Sequence, residues 1–166
     1  MVSEINSISI HRASARETET AWSFVQEYYD AARVVMRENH EEFAAAYFGE
    51  GSGIWLAWVN DKIVGCIALR PLSEIGAHCG EIKRLYVRPE FRGRGIAQAL
   101  LNALESYAAS RGYEELYLDT AADMRDAARL YECSGYQHCA RYNENPQAAI
   151  FMKKRVRCHN ERVSKK

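Results

Sequence analysis

Two stretches of the chain repeat their hydrophobic residues at three- and four-residue steps, which predicts two amphipathic helices. The first stretch has apolar positions Trp22, Val25, Tyr28 or Tyr29, Ala32 and Val35. The second has apolar positions Ile96, Leu100, Ala103, Leu104, Tyr107 and Ala108. Gly112 marks the end of the second helix, since glycine is common just beyond a helix terminus.

Shorter elements are predicted around these helices. We expect one short helix through Phe43 and Tyr47 and another from Met124 to Cys133. Strands are expected where β-branched and aromatic residues cluster. These runs are ISISIH, IWLAWV, KIVGCIAL, EIKRLYV, EELYLDT and two last runs that flank the loop NENPQ. Asn60 and Asp61 join the second and third runs as a hairpin. The pattern predicts an α/β (α+β) fold with a mixed, mostly antiparallel central sheet of six to seven strands and helices on both faces.

The strand that begins at Glu81 has an irregular alternation. Ile82 lies in one phase, whereas Leu85 and Val87 lie in the other. A β-bulge at Lys83 or Arg84 would explain this slip, and so would a strand that is buried on both faces. A bulge would leave main-chain groups of the strand unpaired.

The loop after this strand passes through a proline and two close glycines before the second long helix begins. Without side chains at Gly93 and Gly95, the free N–H groups of the first helical turn are open to an anion such as a pyrophosphate. Arg92 and Arg94 add positive charge beside them. The alternative is that the glycines only turn the chain and that both arginines are solvated.

Two motifs carry a resemblance to a known family. Arg92-x-x-Gly95-x-Ala97 follows the strand EIKRLYV, and AARLYECSGY lies downstream. Together they resemble the coenzyme A loop and the following segments of the GNAT N-acetyltransferase superfamily. The likeness runs from GIWLAWVN to AIFMKKRV and is strongest from Glu81 to Tyr136.

The resemblance implies the GNAT fold and a direct acetyl transfer from acetyl-CoA, as co-substrate, to a primary amine in a ternary complex. It implies that coenzyme A is bound by Leu85, Tyr86, Val87, Arg92, Gly93, Arg94, Gly95, Ile96 and Ala97. It also implies that a main-chain N–H at or near Val87 faces the thioester oxygen. Many relatives carry an asparagine where this chain has Met124, so we expect Asp126 or the main chain to replace that contact with the pantetheine arm.

Two catalytic side chains follow from the same resemblance. Glu81 corresponds to the position of the general base in many members, acting directly or through water. The alternative is a carboxylate paired with Lys83 or Arg84, which would lower its pKa and weaken it as a base. Tyr131 corresponds to the general acid that protonates the leaving sulfur. The alternative is an ordinary half-buried helix tyrosine.

Other functional classes remain open at this point. Gly93-x-Gly95, with Asp119 after the next strand, begins a dinucleotide-binding fingerprint, but Gln98 stands where a small residue is required. A GNAT-like module that binds acyl-CoA without chemistry would keep the loop and tolerate loss of Glu81 and Tyr131. A partner-binding globular domain would explain neither the loop nor its helix.

Composition adds limits to this picture. The chain has 166 residues with 22 basic and 22 acidic side chains. This length suits one domain over 1–157, followed by a flexible basic tail over 158–166. The neutral balance gives no reason to expect a nucleic-acid partner, and no apolar run is long enough to span a membrane. Five cysteines without a C-x-x-C pair, and five scattered histidines, predict a cytoplasmic protein without a metal.

The acceptor is predicted only as a small-molecule or peptide amine, and the resemblance permits a homodimer. The helices from Trp22 to Tyr47 and the loop from Tyr142 to Pro146 are expected to shape its pocket. Four aromatic residues in these segments are candidates for an amine site, with core packing as the alternative. They are Trp22, Tyr28, Tyr29 and Tyr142.

Overall fold

The computed structural model describes residues 7–156, and the predicted basic tail lies outside them. The strands are β1 (Ile8–Arg12), β2 (Gly53–Val59), β3 (Lys62–Pro71), β4 (Cys79–Val87), β5 (Glu115–Thr120), β6 (Gln137–His138) and β7 (Ile150–Arg155). The α-helices are α1 (Thr18–Ala31), α2 (His40–Tyr47), α3 (Ile96–Ser110) and α4 (Arg125–Cys133). One seven-stranded sheet has the order β1-β2-β3-β4-β5-β7-β6. Within this sheet β4 and β5 are parallel and the other neighbours are antiparallel.

The sheet has an apolar cluster on each face, as the predicted fold requires. On the front face, α1 and α2 pack on strand residues such as Ile54, Leu56 and Ala68. On the back face, α3 and α4 pack on residues such as Ile67 and Leu69. The prediction of a mixed, mostly antiparallel sheet with helices on both faces is confirmed. No helix of residues 7–156 has the length and apolar character needed to cross a membrane.

Helix α1 ends earlier than its hydrophobic stripe predicts. The stripe extends to Val35, but the helix stops at Ala31 and the Val35 side chain is 70% exposed. Arg33 takes a positive φ of 51°, and the Val34 N–H turns back to the Tyr29 carbonyl. The apolar residues that follow therefore belong to the α1–α2 loop.

The irregular alternation in β4 is a bulge. Cys66 of β3 pairs with Tyr86, while Ala68 pairs with Lys83, so two residues of β4 oppose one residue of β3. Arg84 lies in this bulge with φ at 60°, a left-handed conformation that is unusual for a residue other than glycine. The bulge reorients the second half of β4.

The two parallel strands separate partway along their length. Pairing between β4 and β5 runs from Cys79 opposite Glu115 to Ile82 opposite Leu118 and then stops. Beyond this point β4 continues to Val87 with one edge open. A cavity of about 1000 Å³ lies at the gap, bordered by the α1–α2 loop and the β6–β7 loop.

Candidate active site

The loop between β4 and α3 presents main-chain donors to an anion. Gly93 and Gly95 have φ values of 75° and 78°, and a Cβ built on either would meet nothing within 4 Å. From Gly93 to Gln98, no main-chain N–H donates to another residue of the described chain. Open backbone donors at the start of a 15-residue helix form the kind of cradle that holds a phosphate group.

The two loop arginines have different surroundings. The Arg92 Nε donates to the Val87 carbonyl at 2.8 Å, and its guanidinium lies 5.9 Å from the Tyr86 ring. Arg94 is exposed and lies 5.2 Å from the Phe91 ring. Arg92 therefore ties the loop to the end of β4, whereas Arg94 is free to meet an anion.

Val87 directs its own main-chain N–H into the gap. The Arg88 N–H donates to the Val64 carbonyl at 2.8 Å, so the neighbouring pair of Gly65 and Val87 belongs to the non-hydrogen-bonded type. In such a pair, the residue's N–H points away from the partner strand. This donor is held by the sheet, as a group that stabilises an oxyanion must be.

The other residues predicted to bind coenzyme A differ in what they can offer. The side chains of Tyr86 and Ile96 are 8% and 2% exposed and belong to the two cores, which leaves their main chain as the accessible part. Leu85 and Ala97 are half-buried. Asp126 is exposed in the first turn of α4, outside the cavity lining, while Met124 lines the cavity. The predicted role of Asp126 stays a prediction.

Glu81 is buried in an ion-paired network. Its side chain is 1% exposed, and its Oε1 lies 2.8 Å from the Arg70 Nε and 3.3 Å from the Lys83 Nζ. Its Oε2 accepts a hydrogen bond from the Tyr142 hydroxyl at 2.7 Å. Burial is the largest single influence and raises the pKa of Glu81, but Lys83, Arg70 and the Tyr142 hydroxyl together lower it by more, so the carboxylate is ionised and weakly basic. The predicted pairing with Lys83 is present, and the second cation is Arg70.

Tyr131 projects from α4 into the back core, and its neighbours include Tyr28 and Asp119, which line the cavity. Its side chain is 3% exposed, its ring contacts Tyr136 at 5.3 Å, and its hydroxyl has no hydrogen-bond partner among residues 7–156. Burial raises the pKa of Tyr131, and the neighbouring Tyr28 and Asp119 raise it further. The phenol is therefore protonated at neutral pH with an uncommitted donor. Its role as general acid stays a prediction.

Asp119 is a site residue that sequence reasoning assigned only to the discarded dinucleotide fold. It stands near the end of β5 and lines the cavity. Its two oxygens accept hydrogen bonds from the side-chain amides of Asn143 at 2.5 Å and Asn145 at 3.2 Å. No cation of the described chain lies within ion-pair distance of it. The sequence signal that could have identified Asp119 is a carboxylate near the end of a predicted strand.

The wall opposite β5 is fixed by Glu38 of the α1–α2 loop. Glu38 accepts hydrogen bonds from the Tyr29 hydroxyl, from the Tyr47 hydroxyl at 3.0 Å and from the Arg84 Nη2 at 2.6 Å. Burial is the largest single influence and raises the pKa of Glu38, but Arg84 and the Tyr29 hydroxyl together lower it by more. The network connects the loop to the bulge in β4.

Of the four aromatic candidates for an amine site, Tyr28 lines the cavity, while Trp22, Tyr29 and Tyr142 serve packing and hydrogen bonding.

Gln147 bridges the two loops that border the cavity. Its Oε1 accepts a hydrogen bond from the Val35 N–H at 2.8 Å, and its Nε2 donates to the Arg33 carbonyl at 3.0 Å.

No group of three or more histidine, cysteine or carboxylate side chains between residues 7 and 156 could hold a metal ion.

Comparison with known proteins concerns the family and the fold. A family model described as the acetyltransferase (GNAT) family matches residues 16–136. An uncharacterized N-acetyltransferase, YsnE, of Bacillus subtilis is 36% identical over 105 residues, which cover 60% of this chain and 68% of that protein. A second uncharacterized N-acetyltransferase, from Schizosaccharomyces pombe, is 39% identical over 101 residues, 60% of this chain and 61% of that protein. The matched part of the chain thus spans between three fifths and about two thirds of the length of these relatives.

Solved structures show the same fold. A GNAT-family acetyltransferase from Staphylococcus aureus superposes with a TM-score of 0.77 at 19% identity, covering 91% of this chain and 100% of that one. An N-acetylglutamate synthase from Neisseria gonorrhoeae, solved with coenzyme A and N-acetylglutamate, superposes with a TM-score of 0.72 at 18% identity. That match covers 91% of this chain and 35% of the synthase chain.

Proposed function

The chain belongs to the GNAT acetyltransferase family, and from this we propose that it transfers an acetyl group from acetyl-CoA to a primary amine by direct attack in a ternary complex. The observation that carries the proposal is the set of complementary groups along the separating strands β4 and β5. Asp119 lines the cavity at the gap, Val87 directs its N–H away from β3, and the anion cradle follows β4. The protonated Tyr131 phenol has Asp119 as a neighbour. Each corresponds to a separate requirement of acyl transfer.

The β4–α3 loop fits the diphosphate of coenzyme A. The free N–H groups from Gly93 to Gln98 would donate to its oxygens, and the open space above Gly93 and Gly95 lets a phosphate approach the backbone closely. Arg94 would add an exposed positive charge. When bound, acetyl-CoA supplies the acetyl group as a thioester, whose thiolate leaves readily enough for direct transfer.

At neutral pH a primary amine is largely protonated, and the ammonium must lose a proton before its nitrogen can attack. Four carboxylates line the cavity without a cationic partner in the described chain, and Asp119 is the half-buried one, whereas Glu42, Asp123 and Glu144 are exposed to water. We therefore propose that Asp119 holds the ammonium and takes its proton. Glu81 is removed from the cavity lining and engaged by two cations. Its proposed role as base is therefore confined to action through water.

Two further groups would stabilise the charges that develop during transfer. The Val87 N–H, held by the β3–β4 pairing, would donate to the carbonyl oxygen as it becomes negative. The Tyr131 hydroxyl would donate its uncommitted hydrogen toward the departing sulfur. Because both donors are fixed by the fold, little reorganisation is needed during the reaction.

Binding and turnover test the proposal separately. Calorimetry or thermal shift with acetyl-CoA, coenzyme A and NAD should show stabilisation by the first two alone, because a ligand that binds the native state raises its apparent stability. Thiol release is then followed with a panel of primary amines. Stabilisation by coenzyme A without thiol release on any amine would identify a binding module, and no stabilisation at all would refute coenzyme A binding.

A further inference from the structure

We propose that the acceptor carries a carboxylate close to its amino group, as an amino acid does, and that Arg70 and Lys83 bind that carboxylate. The proposal rests on the acyl transfer argued above, since it defines the acceptor of the same cavity. It makes Arg70 and Lys83 determinants of acceptor specificity. Four observations support it, and they concern charges on the front face of the sheet.

The first observation is an excess of positive charge at the cavity floor. Arg70 and Lys83 both line the cavity, and both are directed to the same oxygen of Glu81, at 2.8 Å and 3.3 Å. One buried carboxylate therefore faces two full positive charges. The other carboxylate near Arg70 is Glu74, which lies 4.0 Å away and is 70% exposed, so water screens it strongly.

The two cations also keep unused hydrogen-bond donors. Arg70 engages Glu81 through Nε, so its two terminal nitrogens make no hydrogen bond within residues 7–156. The Lys83 ammonium carries three hydrogens for one close carboxylate oxygen. Their side chains are 33% and 18% exposed, so a ligand in the cavity can reach them in a partly desolvated setting. Arg84 is different, because Glu38 matches its charge at 2.6 Å.

The third observation is the uncompensated carboxylate on the opposite side of the gap. Asp119 accepts only neutral amide hydrogen bonds from Asn143 and Asn145. A carboxylate has about four acceptor sites, so two such bonds leave room for an ammonium. The same cavity therefore contains a cationic floor and an anionic wall.

The fourth observation is the register that sets these groups against each other. Glu81 pairs with Tyr117 and Ile82 pairs with Leu118, after which the strands part. Lys83 and Asp119 are the next residue on each strand, and the alternation of side chains puts both on the front face. Lys83 and Asp119 lie too far apart to form an ion pair, since the ion-pair partner of Lys83 is Glu81. Opposite charges therefore face each other across the gap without contact.

A short zwitterion satisfies both sides of this arrangement. Its ammonium would lie against Asp119, near Tyr131, while its carboxylate would lie against Lys83 and Arg70. A simple amine would leave the cationic floor unmatched, and a polycation would be repelled by it. Coenzyme A is not the expected anion here, because its phosphate loop begins only after Val87. Val87 lies four residues beyond Lys83 along β4, which is roughly 13 Å of strand.

Thiol release with matched acceptors tests the inference. Each set contains an amino acid, its amide and its decarboxylated amine, for example phenylalanine, phenylalaninamide and phenethylamine. Values of kcat/KM are corrected for the fraction of free amine at the assay pH. We expect the acid to exceed both partners by about tenfold or more, the effect of one charge-assisted contact. Amides or simple amines that react as well as the acids would overturn the inference while leaving acyl transfer intact.

Variants then identify the groups responsible. Lys83→Gln should reduce the acid-to-amide ratio of kcat/KM about tenfold, and Lys83→Arg should retain it, because charge is the property that matters. Lys62→Gln, an exposed lysine at the start of β3, is the matched control and should keep the wild-type ratio. A ratio that Lys83→Gln leaves unchanged would refute the subsite. If wild-type protein acetylates amines of the wider panel but none of the sets, the inference is refuted and acyl transfer stands. If it binds acetyl-CoA but acetylates no amine at all, acyl transfer itself fails and the inference falls with it.

Discussion

At the scale of single residues, the site contains two carboxylates with opposite surroundings. Glu81 is almost completely buried and shared by two cations, whereas Asp119 lines the cavity and receives only amide hydrogen bonds. A cation that stabilises the ionised form lowers a carboxylate's affinity for a proton. The environment therefore favours Asp119 as the group that meets an incoming ammonium.

Isosteric amides separate the two roles. Asp119→Asn should lower kcat about 100-fold with little change in acetyl-CoA affinity, the usual effect of removing a general base. Glu81→Gln should have a smaller effect on kcat. Asp61→Asn, at the exposed β2–β3 turn, is the control for the substitution itself. The opposite order, with Glu81→Gln the more damaging, would restore Glu81 as the base.

The phenol of Tyr131 can be tested against a neighbour of the same type. Tyr131→Phe removes one hydroxyl and should lower kcat about tenfold or more while acetyl-CoA binds nearly as well. Tyr136 contacts the Tyr131 ring, but its hydroxyl donates to Glu105 at 2.8 Å. Tyr136→Phe should therefore affect stability more than kcat. Equal turnover of Tyr131→Phe and wild-type enzyme would remove the assignment of a general acid.

At the scale of elements, the β4–α3 loop combines two uses of glycine. Gly95 needs a positive φ to turn the chain, and its missing Cβ leaves the approach to the helix N-terminus open. Gly112, at the other end of α3, has φ at 84° and equally open surroundings, but no anion cradle. Both positions therefore require a positive φ, but an anion is expected to bind only at Gly95.

This pair isolates the contribution of the loop to cofactor binding. Gly95→Ala and Gly112→Ala should each destabilise the fold by about 1 kcal/mol, because alanine is strained at positive φ. Gly95→Ala alone should weaken coenzyme A binding, by about tenfold or more, because its methyl group obstructs the diphosphate. Calorimetry with coenzyme A measures the difference. Similar affinities for both variants would argue against phosphate binding at this loop.

The sequence predicts local features of these elements better than their partners. The slip of phase after Ile82 indicated the bulge at Arg84, because the alternation of side chains is a local property of one strand. The partner of Glu81 was expected at Lys83 or Arg84, but Arg70 also pairs with it. That contact depends on the register of β3 against β4, which no periodicity within either strand specifies.

At the scale of the whole molecule, the same limit explains what the sequence left open. The order of helices and strands predicted the mixed sheet and both covered faces, since each element carries its own pattern. The importance of Asp119 could not be predicted, because it depends on where β4 and β5 stop pairing. Val35 was wrongly placed on a helix, because the turn at Arg33 interrupts a stripe that continues by spacing alone.

The buried ion pairs also connect the site to the stability of the fold. Glu81 and Glu38 both have a pKa below the ordinary value for glutamate, because nearby cations and tyrosine hydroxyls together outweigh the effect of burial. A carboxylate whose pKa is lower in the folded state stabilises that state above its unfolded pKa, and this contribution is lost as the pH falls through the folded value. The protein should therefore lose stability progressively below about pH 4.3, the ordinary pKa of glutamate.

Glu81→Gln makes this dependence measurable. At pH 7 the variant should unfold with about 2 kcal/mol less free energy than wild type, a value reduced from that of a fully buried pair because Arg70 and Lys83 are partly exposed. The difference should shrink as the pH falls, because wild-type Glu81 then becomes protonated and loses the same ion pairs. Glu74→Gln removes the exposed partner of Arg70 and should follow wild type at every pH. Urea unfolding curves for the three proteins between pH 7 and pH 3 provide the comparison. If the difference between Glu81→Gln and wild type stays constant across this range, the charge of Glu81 is not the source of the stability.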